Sequence, residues 1–171
     1  MMVEEQTRDI MRRTVDNLRF VEANARPHGP FEITQLLNSF LGILVHPWER
    51  RERDNINMDT DRVAWPNLSK ESPNDAEPRD RAQSITWIRH AFAHGNIELL
   101  PGPPGEIGAI RLWNNRDGRR HWGVRIDIAT LRQLLFAFAD LAELAYDQAT
   151  LSTHSRCNSG LPLSPARTSL E

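Results

Sequence analysis

Apolar residues recur at helical spacing in four stretches of this chain, separated by segments rich in proline, glycine and charge. From about Glu4 to Ala25, residues Ile10, Val15, Leu18, Val21 and Ala25 fall near one face with charges elsewhere, which predicts an amphipathic helix. Arg26-Pro27-His28-Gly29-Pro30 breaks it, because proline lacks an amide proton and biases its predecessor out of the helix. Within Phe31 to Val45 the residues Ile33, Leu36, Leu37, Phe40, Leu41 and Leu44 follow the i, i+3, i+4, i+7, i+8, i+11 series. That stripe must be buried, and Pro47 is expected to end the second helix. From Glu49 to Asp80 the chain turns polar, with Pro66, Pro73 and Pro78 scattered through it. The segment at about 49–78 reads as a long mobile connection, either a functional loop or a disordered one.

A third helix is expected from near Pro78, a residue suited to a first turn, to His94. Ile85, Ile88 and Phe92 line its apolar face, and Gly95 stands where a left-handed cap is needed. Pro101-Gly102-Pro103-Pro104-Gly105 is a turn segment. Ile107 to Trp113 and His121 to Ile126 flank Asn114-Asn115-Arg116-Asp117-Gly118, which predicts a small β-hairpin at about 107–126. A fourth helix from about Ile128 to Ala149 repeats Ile128, Leu131, Leu135, Phe138, Ala142 and Ala145, the seam spacing of a bundle. Residues 151–171 are rich in Ser, Pro and Gly and are expected to be a disordered tail. With no internal repeat, the pattern is a single mainly α domain over 1–150 with a hairpin before its last long helix.

Composition narrows the class. The chain has 171 residues, 39% hydrophobic and 26% charged, in the range of a globular domain. No run approaches the ~18 apolar residues of a membrane span; the most apolar, Leu36 to Val45, is broken by Asn38, Ser39 and Gly42. Glu4, Glu5 and Arg8 open the chain without an apolar stretch, so no secretory signal is expected. Cys157 is the single cysteine and cannot form an internal disulfide, which fits a cytoplasmic protein. A net charge of −2 argues against general nucleic-acid coating, though not against gripping a few phosphates. Lys70 is the only lysine; the other cations are arginines, whose planar fork can donate two hydrogen bonds to one phosphate.

The chemistry concentrates in Ile88-Arg89-His90-Ala91-Phe92-Ala93-His94-Gly95-Asn96-Ile97. His90 and His94 stack on one helix face about 40° apart, whereas Arg89 and His94 are about 140° apart. Only the arginine's length and a concave setting bring those two to one substrate. Metal-free RNA cleavage needs a base for the ribose 2′-hydroxyl, an acid for the departing 5′-oxygen and a cation for the phosphorus centre. Histidine titrates near neutrality and fits the first two roles, and arginine fits the third. Small alanines between them allow a second helix or subunit to come close.

The segment resembles the R-x4–6-H signature of the HEPN superfamily, with Arg89 and His94 as the motif residues and His90 at the polar position after the arginine. The string IRHAFAHGNI is similar to that of small prokaryotic HEPN proteins of the defence and toxin type. Thr34 to Gly42 followed by Pro47 resembles their preceding helix, and the likeness extends over roughly Glu4 to Ala149. The resemblance implies a HEPN-like bundle of four to five helices and a homodimer whose motifs form one composite site. It implies an endoribonuclease that cuts RNA without metal or other cofactor and leaves a 2′,3′-cyclic phosphate, in antiphage defence or as a toxin. It also implies an antitoxin or defence-system partner and no membrane. Carried across, His94 is the principal acid/base, Arg89 the phosphate stabiliser and His90 a positioning or second polar group. Some family toxins carry, two residues past the histidine, a tyrosine that a partner nucleotidyltransferase modifies; Asn96 stands there and departs from that control.

Other readings stand beside this one. A helical Arg and His are commonly surface residues or members of a structural network, and a fold can outlive its activity, leaving a silent HEPN module that binds RNA, a nucleotide or a protein. His90-x3-His94 has the spacing of two zinc ligands, but lacks the glutamate of the metalloprotease pattern. Neither His46 nor His121 is marked as a third ligand. Arg111, Arg116, Arg119, Arg120 and Arg125 interleave with Trp113 and Trp122 in the hairpin. That is either an RNA-contacting flap or a solvated turn whose tryptophans pack on the bundle. Asn96, Arg111, Arg119 and Arg120 are the candidate substrate contacts. Glu49-Arg50-Arg51-Glu52-Arg53-Asp54 mixes signs and reads as a solvated run.

Overall fold

A computed structural model describes residues 3–24, 32–51, 56–104 and 106–158. The break expected at 26–30 and residues 159–171 of the expected tail lie outside these. Helix α1 (Val3–Ala23) runs antiparallel to the long α5 (Ile128–Asn158), so the last helix continues past Thr150. The two are laced by Arg8 and Arg12 to Glu143 and by Arg132 to Glu22, with Arg132 Nε donating at 2.6 Å. The face α1 buries is Thr7, Met11 and Leu18, with Ile10 left 54% exposed outside it. In α5 the buried series is Leu131, Leu135, Phe138, Ala142 and Ala145, joined by Leu134, Leu141 and Tyr146.

Pro47 does not end the second helix. Helix α2 (Glu32–Phe40) passes into a π-helical turn, Leu41–Val45, and then into α3 (His46–Arg50). Within a helix, a proline's ring collides with the carbonyl four residues back and removes one hydrogen bond. The wider π turn immediately before Pro47 makes room for that ring. Burial therefore continues through Phe40, Ile43, Leu44, Pro47 and Trp48, while Leu41 turns outward. Trp48 donates from Nε1 to the Thr86 hydroxyl at 3.1 Å and meets Phe138 edge-on at 5.9 Å. Phe40 stacks on Phe92 at 4.8 Å. These contacts pin the α2–α3 unit to α4 (Arg81–Ala93) and, through Phe138, to α5.

Helix α4 begins after Asp80, whose carboxylate accepts from the Gln83 amide at 2.7 Å, while Gln83 Oε1 accepts from the Arg79 amide at 2.8 Å. This paired cap displaces Pro78 from the first turn. The expected hairpin is part of a three-stranded antiparallel sheet: β1 (Ile97–Pro101), β2 (Ile107–Arg116) and β3 (Arg119–Asp127), in that spatial order. Ile110, Leu112, Trp122, Val124 and Ile126 face the helices and are buried.

Residues 56–80 run as a strap along β3. Ile56 and Met58 are in the core. The Glu71 amide donates to the Gly123 carbonyl at 3.0 Å and the Ala76 amide to the His121 carbonyl at 2.9 Å, which covers that sheet edge. Ion pairs then clamp the strap across the outer sheet face. Arg120 reaches Asp75 and Glu71 at 2.7 Å each, and Arg111 reaches Glu71 at 2.5 Å and also pairs with Glu98. The strap's Glu71 and Asp75 are thus paired with arginines of the sheet.

Candidate active site

The motif occupies the C-terminal turn of α4 where it lies beside α3. Helix α4 stops because Gly95 takes a positive φ of 66°, which favours a residue without a Cβ. The Gly95 amide donates to the Phe92 carbonyl at 3.2 Å and the Asn96 amide to the Ala91 carbonyl at 2.9 Å. This cap leaves His94 exposed at the helix end, and the chain turns directly into β1.

Ile88, Ala91 and Phe92 are buried, so α4 is anchored by its apolar face while the motif side chains leave from the other. Arg89 is only 20% exposed and forms an ion pair with Glu49 of α3. Its Nε is buried without a hydrogen-bond partner among the described residues. The His90 and His94 rings meet edge-to-face at 6.1 Å. Burial holds the His90 imidazole below the ordinary histidine range, and the positive charge of Arg89 and the neighbouring His94 push it further down, with Glu49 opposing. His90 thus senses all three other groups, and the structure brings Arg89, His90, His94 and Glu49 into one electrostatic cluster. The depressed value leaves His90 neutral at pH 7, able to accept a proton or a hydrogen bond. In a histidine NMR titration, His90 should protonate below the free-histidine value of 6.5. Glu49→Gln should lower its midpoint further and Arg89→Ala should raise it; the reverse order would remove the cluster as its cause.

The other candidates are dispersed. Asn96 follows the cap, and its carbonyl accepts from the Trp113 amide at 3.3 Å. Arg111 and Arg120 are engaged by Glu71, Glu98 and Asp75 in the strap clamp, and these carboxylates hold both guanidiniums protonated. Arg119 is exposed at the hairpin tip. Among the described residues, no group of three His, Cys, Asp or Glu side chains could hold a metal ion, and no helix is long and apolar enough to cross a membrane. Sequence reasoning missed Glu49, because Pro47 hid the continuation of the helix. The Phe40–Leu44–Trp48 spacing was the available signal that the helix runs on.

A model of the family HEPN pEK499 p136 matches residues 1–149. The chain belongs to this HEPN family. No curated protein and no solved structure matches the chain. HEPN proteins are associated at the family level with RNA-related, ribonuclease and toxin-type roles, and HEPN domains typically bind RNA and dimerise.

Proposed function

We propose that this HEPN protein is a metal-independent endoribonuclease acting as a homodimer, in antiphage defence or as a toxin. The observation that carries the reading is the clustering of Arg89, His90 and His94 at one helix end, with Glu49 fixing the arginine. His94, exposed at the cap, serves as the principal acid–base group. One imidazole takes the proton of the ribose 2′-hydroxyl as that oxygen bonds to phosphorus. Another, from the same pair or from the symmetry-related subunit, protonates the 5′-oxygen as its bond to phosphorus breaks. Arg89 steadies the additional negative charge on the phosphoryl oxygens. His90, neutral at pH 7, is the second polar group.

The burial of Arg89 and its pairing with Glu49 also suit a silent RNA-binding module, so cleavage itself is the test. Purified protein should cut labelled RNA in excess EDTA and leave 2′,3′-cyclic phosphate ends. Binding without cleavage would assign the silent module, and activity abolished by EDTA would replace this mechanism with a metal-dependent one.

A further inference from the structure

Trp87, two turns before His94, lies on the same stripe of α4 as His90 and His94. At 3.6 residues per turn the three fall within about 60° of one another, and Trp87 is about 10 Å from His94 along the axis. Its surroundings are unusual. The β2–β3 register steps from Asn114↔Trp122 to Asn115↔Arg120, so His121 is the extra residue of a β-bulge. In a regular strand His121 and Trp122 would face opposite sides of the sheet. The bulge instead lets both rings meet Trp87, His121 edge-on at 5.2 Å and Trp122 at 5.6 Å. Two hydrogen bonds fix the arrangement: Asn114 Nδ2 donates to the Trp87 carbonyl at 2.7 Å, and the strap's Ala76 amide donates to the His121 carbonyl at 2.9 Å. Trp122 is buried, but Trp87 and His121 both keep part of their surface exposed. Burying aromatic rings explains Trp122; it does not explain a bulge that brings a partly exposed histidine to the partly exposed Trp87. Bulges are enriched beside active sites, where they re-aim a side chain.

We propose that Trp87 and His121 form a base-stacking subsite for single-stranded RNA, holding the nucleobase of a nucleotide that flanks the scissile phosphate. The placement next to the cut rests on the nuclease reading; base binding itself does not. An aromatic face accepts any base, so the subsite positions the strand without reading its sequence. Exposed Arg116 and Arg119 at the hairpin tip stand beyond His121 on β2 and β3, where the phosphates of a continuing strand would run.

The test is a coupling cycle with a 2′-O-methyl oligonucleotide, which cannot be cut, whose bases are removed one position at a time. For the full-length protein, removing one particular base should weaken binding about tenfold, or roughly 1.4 kcal/mol. The same removal should cost almost nothing more in Trp87→Leu or His121→Ala. His121 is only partly buried, so its variant keeps the test open if Trp87→Leu unfolds. If no base position couples to either residue, the subsite is wrong even when RNA cleavage is confirmed. Coupling in a protein that cuts no RNA would retain the subsite and discard the nuclease. A mononucleotide that displaces the oligonucleotide with equal affinity would make the occupant a free nucleotide and overturn the assignment to RNA.

Discussion

His94→Ala should lower EDTA-resistant RNA cleavage by about 10²–10⁴-fold, the usual span for a positioned acid–base group, and Arg89→Ala by about 10²–10³-fold, the span for one electrostatic stabiliser of the transition state. The double variant should be little worse than the poorer single, because groups that act on one transition state are not additive. His94 is exposed and its backbone, not its ring, forms the helix cap, so its removal should leave the thermal melt unchanged. Arg89→Ala frees Glu49, which is 46% exposed and can rehydrate. The activity loss should therefore exceed any loss of fold in both cases. Wild-type cleavage rates in both variants, measured beside their melts, would remove this cluster from the mechanism. Sedimentation showing only monomer at a concentration where the enzyme is fully active would contradict a site shared between subunits.

The contrast between what the sequence revealed and what it hid has a physical origin. Helices α1, α2, α4 and α5 were legible because each buries one apolar stripe, and the stripe repeats within a few residues. Arg89, His90 and His94 were legible for the same reason, since one helix carries all three. Glu49 was not, because its partner lies forty positions away in the chain and Pro47 stood between it and a readable helix. Strand β1 is hard to read because Leu100 and Pro101 break the short alternation of Ile97, Glu98 and Leu99. The strap escaped notice because hydropathy treats Glu71 and Asp75 as solvent-seeking, whereas Asp75 is buried against Arg120. His121 is visible as part of a strand, but a bulge depends on pairing register, which no single strand encodes. What stays illegible is thus the set of long-range polar contacts.

The strap clamp yields the second large effect. Gly123→Ala should destabilise the protein by about 2 kcal/mol and lower its melting temperature by roughly 4–8 °C. A Cβ at Gly123 would stand 2.6 Å from Arg120 Nε and closer still to the rest of that guanidinium, which lies across the strand at this point. The guanidinium must then shift, which loosens its hold on Asp75, whose side chain is only 4% exposed, and on Glu71. Losing one partner of a buried ion pair costs ~3–5 kcal/mol, less here because Arg120 is 36% exposed. Against this, alanine is favoured over glycine in a strand by about 0.5–1 kcal/mol, which does not close the gap. If the clash is the cause, Arg120→Ala should remove most of the cost of Gly123→Ala in a double-mutant cycle. Additive effects would point to the backbone instead. The difference should also depend on pH. Burial raises the Glu71 carboxyl, but hydrogen bonds from Arg111 and Arg120 outweigh it and hold the group below the ordinary 4.5. The stabilisation from Glu71 is therefore complete above that pH and drains away as acid takes the carboxylate through its lower folded value. Gly123→Ala, having already lost the Arg120 share of it, should converge on the parent in melts run progressively below pH 4.5.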